Sequence, residues 1–150
     1  MNIVIGSDHG GFKLKEILKK FLQSQNHTVT DFGCYSEETV DWTDIALLVA
    51  ESVKDKYYDF GILVDGFGGA VCLAANKVKG VRAVCAYNEF SARLAREHDD
   101  ANILCLGGKT VGDLENVEIV KSFIAALPPK DEKYLRRLKK LDDIEKKYFK

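Results

Sequence analysis

Short apolar stretches and longer amphipathic ones alternate along this chain. "NIVIG" (Asn2 to Gly6), "HTVTDFG" (His27 to Gly33), "DFGILV" (Asp59 to Val64), "VRAVCA" (Val81 to Ala86) and "NILCLG" (Asn102 to Gly107) are rich in branched or apolar residues, and a glycine or polar residue follows each. Such runs suit buried strands that end in loops. Between them, Phe12, Leu14, Ile17, Leu18, Phe21 and Leu22 recur at helical spacing, as do Ile45, Leu48, Val49, Ser52 and Val53. Strands alternating with helices predict an α/β fold, a three-layer α/β/α sandwich around a five-stranded parallel sheet.

Pro128 and Pro129 punctuate the chain before its last segment. Beyond them Leu135, Leu138, Leu141, Ile144 and Tyr148 return every three or four residues, which predicts a terminal helix with one apolar face. From Lys130 to Lys150 there are nine Lys or Arg against five Asp or Glu. This basic helix either presents a solvated face or packs on a neighbouring subunit and carries cations to its active site.

Composition narrows the function classes. The 150 residues match one domain, 1–150, with a single sizeable core. A net charge of -1 offers no global attraction to nucleic acid or to an acidic membrane, so any anion site is local. No apolar run approaches the roughly 18 residues of a membrane span, and the start "MNIVIGSDHGG" lacks the pattern of a secretory signal. A cytoplasmic protein without membrane or nucleic-acid partners is expected. Cys34, Cys72, Cys85 and Cys105 include no CxxC pair and predict buried free thiols rather than disulfides or a zinc site.

Ligands of open parallel sheets bind outside the carboxyl ends of the strands, and four groups of reactive residues are expected there. "GSDHGG" sets Asp8 and His9 side by side after the first strand. An Asp at a helix start is commonly an N-cap, but the surrounding glycines also let backbone approach a ligand. "DGFGGA" follows the third strand, and its amides, Gly66, Phe67, Gly68, Gly69 and Ala70, form either a tight packing turn or a cradle for a developing oxyanion. His98 and Asp99 close the helix "SARLAREHDDAN", where a histidine also answers the helix dipole. Lys109, Lys133 and Arg137 complete a set of cations able to hold a phosphate.

In order and spacing, "GSDHGGFKLK", "TDFG", "GILV.G.G", "LAANKVKGVRAV", "SARLAREHDDAN" and "LGGKTVG" resemble the type B ribose-5-phosphate isomerases and the related galactose-6-phosphate isomerase subunits. The resemblance covers nearly the whole chain. It implies a Rossmann-like domain whose terminal helix packs on a partner subunit, in a homodimer or tetramer or in a hetero-oligomer. It further implies interconversion of aldose and ketose phosphates without metal or organic cofactor. Asp8 and His98 would open the sugar ring, His9, Lys133 and Arg137 would anchor the phosphate, and the amides from Gly66 to Ala70 would stabilise an enediolate. Asp99 stands where many members have a sugar-contacting asparagine, and Lys109 and Lys133 stand where arginine is usual. Lysine keeps the charge and loses the bidentate fork.

The chain departs from the family pattern at its centre. Asp65 occupies the position of the cysteine that removes the C2 proton in many members, Val71 that of the glutamate used by another branch, and Phe67 that of a small hydroxyl residue. Asp and Phe in this loop resemble the galactose-6-phosphate isomerase subunit type that lacks the cysteine, whereas the Asp-His-Gly start resembles the other type. Two expectations follow. Either the Asp65 carboxylate is the base, or it caps the glycine loop and the chain is a catalytically silent sugar-phosphate-binding or partner subunit.

Overall fold

The computed structural model describes residues 1–150. Five strands, β1 (Asn2–Ser7), β2 (Thr28–Asp31), β3 (Phe60–Asp65), β4 (Ala83–Cys85) and β5 (Ile103–Gly107), form one sheet in the order β2-β1-β3-β5-β4. Every neighbouring pair is parallel. The helices are α1 (Phe12–Ser24), α2 (Trp42–Lys54), α3 (Gly69–Ala75), α4 (Glu89–Glu97), α5 (Asp113–Ala125) and α6 (Glu132–Tyr148), and a single 3-10 turn covers His9–Gly11.

Side-chain alternation along the strands builds two cores, one on each face. Ile3, Ile5, Ile62, Val64, Leu104 and Leu106 pack with α1, α4 and α5 residues such as Leu18, Ala92 and Phe123. Val4, Leu63, Ile103 and Cys105 pack with Ala46, Val49 and Ala50 of α2 and Val71 and Ala75 of α3. The three-layer expectation therefore holds. α5 carried no sequence assignment above. Its buried face joins Asn116 to Ile119, Val120 and Phe123, and a polar residue inside that face weakens the apolar stripe.

α6 forms as the spacing predicts, yet it buries no residue. Leu135, Leu141, Ile144 and Tyr148 are exposed, so its apolar stripe is not covered by its own chain. The thiols are free, as expected, but burial is uneven. Cys34 and Cys105 are buried, whereas Cys72 and Cys85 are half-buried. No helix is long and apolar enough to cross a membrane.

Strand order sets where a ligand can enter. From β1 the chain moves outward to β2, and from β3 it moves toward the other edge, so the crevice between β1 and β3 is the switch point of the sheet.

Candidate active site

The register of the central strands brings three loops together at the carboxyl edge. Ser7 pairs with Val64, and Asp65 with Gly107. Backbone bonds then continue past the strand ends. Asp8 N–H donates to Val64 O (3.1 Å), Gly108 N–H to Asp65 O (2.8 Å) and Lys109 N–H to Gly66 O (2.8 Å). Gly10 faces Gly66, and the Lys109 stem passes beside Gly66.

Asp8 is buried, and its Oδ1 accepts the Gly11 N–H (3.1 Å), the capping bond of a helix start. His9 accepts the Val40 N–H at its Nδ1 (3.3 Å), which leaves Nε2–H as its free donor. The segment carrying Val40 is itself anchored. Ser7 and Cys34 exchange backbone bonds with Gly33 and Ser7, each 2.7 Å, and the Asp31 carboxylate joins Lys15 (2.6 Å) and Lys19 (2.8 Å). Burial pushes the Asp31 carboxyl up, and hydrogen bonds from Lys15, Lys19 and the Gly33 amide outweigh it, so the group titrates below the usual carboxylate range.

Asp65 is 2% exposed. Its Oδ1 accepts the N–H groups of Phe67 (3.0 Å) and Gly68, and its Oδ2 accepts that of Val71 (3.1 Å). The carboxylate thus ties the strand end to the first turn of α3. Oδ1 has both lone-pair directions filled and Oδ2 has one left. Gly68 adopts φ +89°, and a Cβ there would meet Cys85 Sγ at 2.5 Å, so this position requires glycine. Gly69 and Ala70 open α3, and their N–H groups have no acceptor within the chain, which leaves them free to donate to an anion. The Phe67 ring lies against Gly69, half-exposed over this helix start.

No thiol takes the place of the missing cysteine at position 65. Cys72 Sγ donates to Ala83 O (3.4 Å), on the β4 side of α3, and a hydrogen bond with Cys105 lowers its pKa against the opposing effect of burial. Burial holds the Cys105 and Cys85 thiols up.

The remaining predicted residues lie at the other end of the sheet. His98 is the C-cap of α4, the residue where that helix turns toward the start of β5. Five residues of β5 separate this amino edge from the Asp65 loop, about 16 Å of strand. The expectation that all four groups gather at the carboxyl ends is therefore corrected: within one chain, Asp8, His9, Asp65 and Lys109 are together, and His98, Asp99, Lys133 and Arg137 are not with them. The sequence places the His98 helix between two strands but does not say that its reactive end leads into the next strand rather than out of the last one.

At the amino edge His98 stacks on Tyr134 of α6, ring centroids 4.0 Å apart and planes 16° from parallel. The Lys133 ammonium and Arg137 guanidinium lie 4.8 and 5.9 Å from the same ring. A cavity of about 270 Å³ borders His98 and Tyr134 under Pro128 and Pro129. Asp99 is exposed. Sequence reasoning missed Tyr134, although its position between Lys133 and Arg137 was a usable signal.

A Rossmann-like α/β/α domain with an Asp-His pair and a glycine loop at its switch point is shared with known isomerases, which are intramolecular oxidoreductases, and comparison with those proteins assigns the chain to that class. Residues 3–141 match the Ribose/Galactose Isomerase family, and the chain belongs to it. It is 48% identical over 129 residues to a probable ribose-5-phosphate isomerase B of Mycoplasma genitalium, covering 83% of this chain and 84% of that one. It is 38% identical to the galactose-6-phosphate isomerase subunit LacA of Streptococcus mutans, covering 84% and 87%. Among solved structures, ribose-5-phosphate isomerase B of Clostridium thermocellum superposes with a TM-score of 0.96 at 44% identity, over 99% of each chain. The Mycoplasma genitalium enzyme with bound ribulose-5-phosphate gives 0.91 at 44%, over 97% of this chain and 96% of that one.

Proposed function

We propose that the chain interconverts an aldose phosphate and its ketose through an enediolate, with ribose-5-phosphate/ribulose-5-phosphate or galactose-6-phosphate/tagatose-6-phosphate as the substrate pair. The observation that carries this reading is the meeting of Asp8, His9, the Asp65 loop and Lys109 over one crevice. His9 Nε2–H and Lys109 offer donors to the phosphate. The Gly69 and Ala70 amides face the developing enediolate oxygen.

Ring opening and the rest of the phosphate grip fall to His98, Lys133 and Arg137, with Asp99 beside the sugar. These come from a second copy of the chain, whose α6 stripe finds cover in the same contact. A homodimer or tetramer places the amino edge of one copy over the carboxyl edge of another, and a hetero-oligomer with a related subunit does the same.

Asp65 is the base in this reading. Its Oδ2 has the one unfilled lone-pair direction, and that atom takes the C2 proton and returns it to C1. The second reading, a silent binding or partner subunit, is favoured by the three amides that already hold the carboxylate and by its near-complete burial.

The deciding experiment is C2 exchange in deuterated water, with the purified chain and a panel of five- and six-carbon aldose and ketose phosphates, for the parent and Asp65→Asn. Asparagine keeps the shape but sets an NH2 group against Phe67 and Gly68 or against Val71, so melting temperature is measured alongside. Loss of exchange in a variant that remains folded and binds the sugar supports the base. Exchange at the parental rate removes it, and a parent silent toward the whole panel favours the binding subunit.

A further inference from the structure

The His98 imidazole has no hydrogen-bond partner within the chain, and its ring is oriented by the stack on Tyr134. An imidazole gives and takes protons in its own plane, so the tilt of that plane decides which sugar oxygens its nitrogens reach. The same phenol ring is the neighbour of the two cations on α6, at 4.8 and 5.9 Å. Helix α6 carries Lys133, Tyr134 and Arg137 together, with Lys133 also 4.0 Å from Asp131, and the Tyr134 ring is the group that joins this helix to His98 at the end of α4.

We propose that Tyr134 is a positioning residue for the isomerisation. Its ring sets the plane of His98 and holds Lys133 and Arg137 beside it, so that the ring-opening group and the phosphate cations meet the sugar as one unit. The proposal rests on the assignment of His98, Lys133 and Arg137 to the site. It requires the flat face of the ring and not the hydroxyl, because stacking and cation–π contact both use the face.

Tyr134→Leu and Tyr134→Phe separate face from hydroxyl. Both fold, since position 134 is only partly covered and α6 contributes nothing to the core. Melting temperatures check this. With the sugar phosphate that the parent turns over, Tyr134→Leu lowers kcat/KM by about 2- to 12-fold, and Tyr134→Phe restores it to within about 2-fold of the parent. The His98 ring-proton resonances move downfield in Tyr134→Leu, as the ring current of the phenol is lost, and stay in place in Tyr134→Phe. A substrate analogue unable to close its ring shows a smaller loss in Tyr134→Leu, since it bypasses ring opening.

Parental kcat/KM in Tyr134→Leu, a Phe variant as impaired as the Leu variant, or unmoved His98 resonances would each overturn the proposal. His98→Asn distinguishes its foundation. Undiminished turnover in that variant removes the site assignment and the proposal with it, whereas unmoved resonances in Tyr134→Leu sink the stack and leave the isomerase reading standing.

Discussion

Asp8 and Asp65 at the carboxyl edge are buried and bound to backbone amides, whereas Lys133 and Arg137 at the amino edge stand exposed on a helix that buries nothing. The first group is held by the fold itself, through strand register and loop bonds. The second is held by its own exposed helix and one aromatic ring and, in the proposed assembly, by the neighbouring copy. Substitutions that loosen the carboxyl edge should therefore appear as lost stability, and substitutions at the amino edge as lost function in a protein that melts normally.

The largest expected effect lies under the His9 segment. Lys15 is fully buried with its ammonium on Asp31 (2.6 Å) and Glu16 (3.1 Å). Asp31→Asn leaves that charge with half its partners, and about 3 kcal/mol of stability should be lost, the low end for breaking a buried pair. The folded Asp31 carboxyl titrates below its ordinary value, so its contribution is present above that value and disappears as pH falls through the depressed one. Denaturant melts should show the parent and variant converging in acid. An equal gap at every pH would contradict the ion-pair account.

Much of this architecture is legible in the sequence, for reasons that differ by element. Buried parallel strands are continuous apolar runs, and all five fall within two residues of their observed ends. Asp8, His9 and the Asp65 loop are legible because strand ends are where chemistry collects. Position 15 is not: a lysine on the first helix reads as a surface residue, and its burial follows from Asp31 at the end of β2, a long-range pairing. The division of the site between two edges is equally hidden. Spacing fixes that α4 ends at His98, while helix direction relative to the sheet fixes which edge that is.

The next effect tests the amino edge. Arg137→Ala should weaken phosphorylated-sugar binding by about 1.5 to 3 kcal/mol, the value of a charge-assisted contact. Its melting temperature should stay parental, because surface changes stay within about 0.5 kcal/mol. Titration calorimetry with unphosphorylated sugar as control reads the first, and unchanged affinity would return α6 to a solvated face. Mixing this variant with Asp8→Ala sharpens the comparison further. Each is impaired alone, and if the halves of the site come from different copies, random dimers regain about a quarter of parental activity. Absence of any recovery after subunit exchange, or a mass in solution equal to one chain, would count against shared sites.

The smallest effect probes how redundantly the Asp65 loop is held. Tyr87 donates its hydroxyl to Phe67 O (2.9 Å), bracing the loop from the β4 side. Asp65 and the Lys109 N–H hold the same segment, and Tyr87 is half-exposed, so water replaces the lost donor in Tyr87→Phe. A loss of about 0.5 kcal/mol is expected, the low end for one hydrogen bond. The neighbouring Cys85 thiol, then burial, raises the phenol to about 12 from its ordinary 10. A raised pKa means the contribution is complete below the ordinary value and fades as pH rises through the folded one. Parent and variant should accordingly differ in stability at neutral pH and converge between about 10 and 12. A loss of several kcal/mol, comparable to Asp31→Asn, would mean the loop hangs on this one hydroxyl. The carboxyl edge would then be no more redundantly built than the Tyr134 contact opposite it.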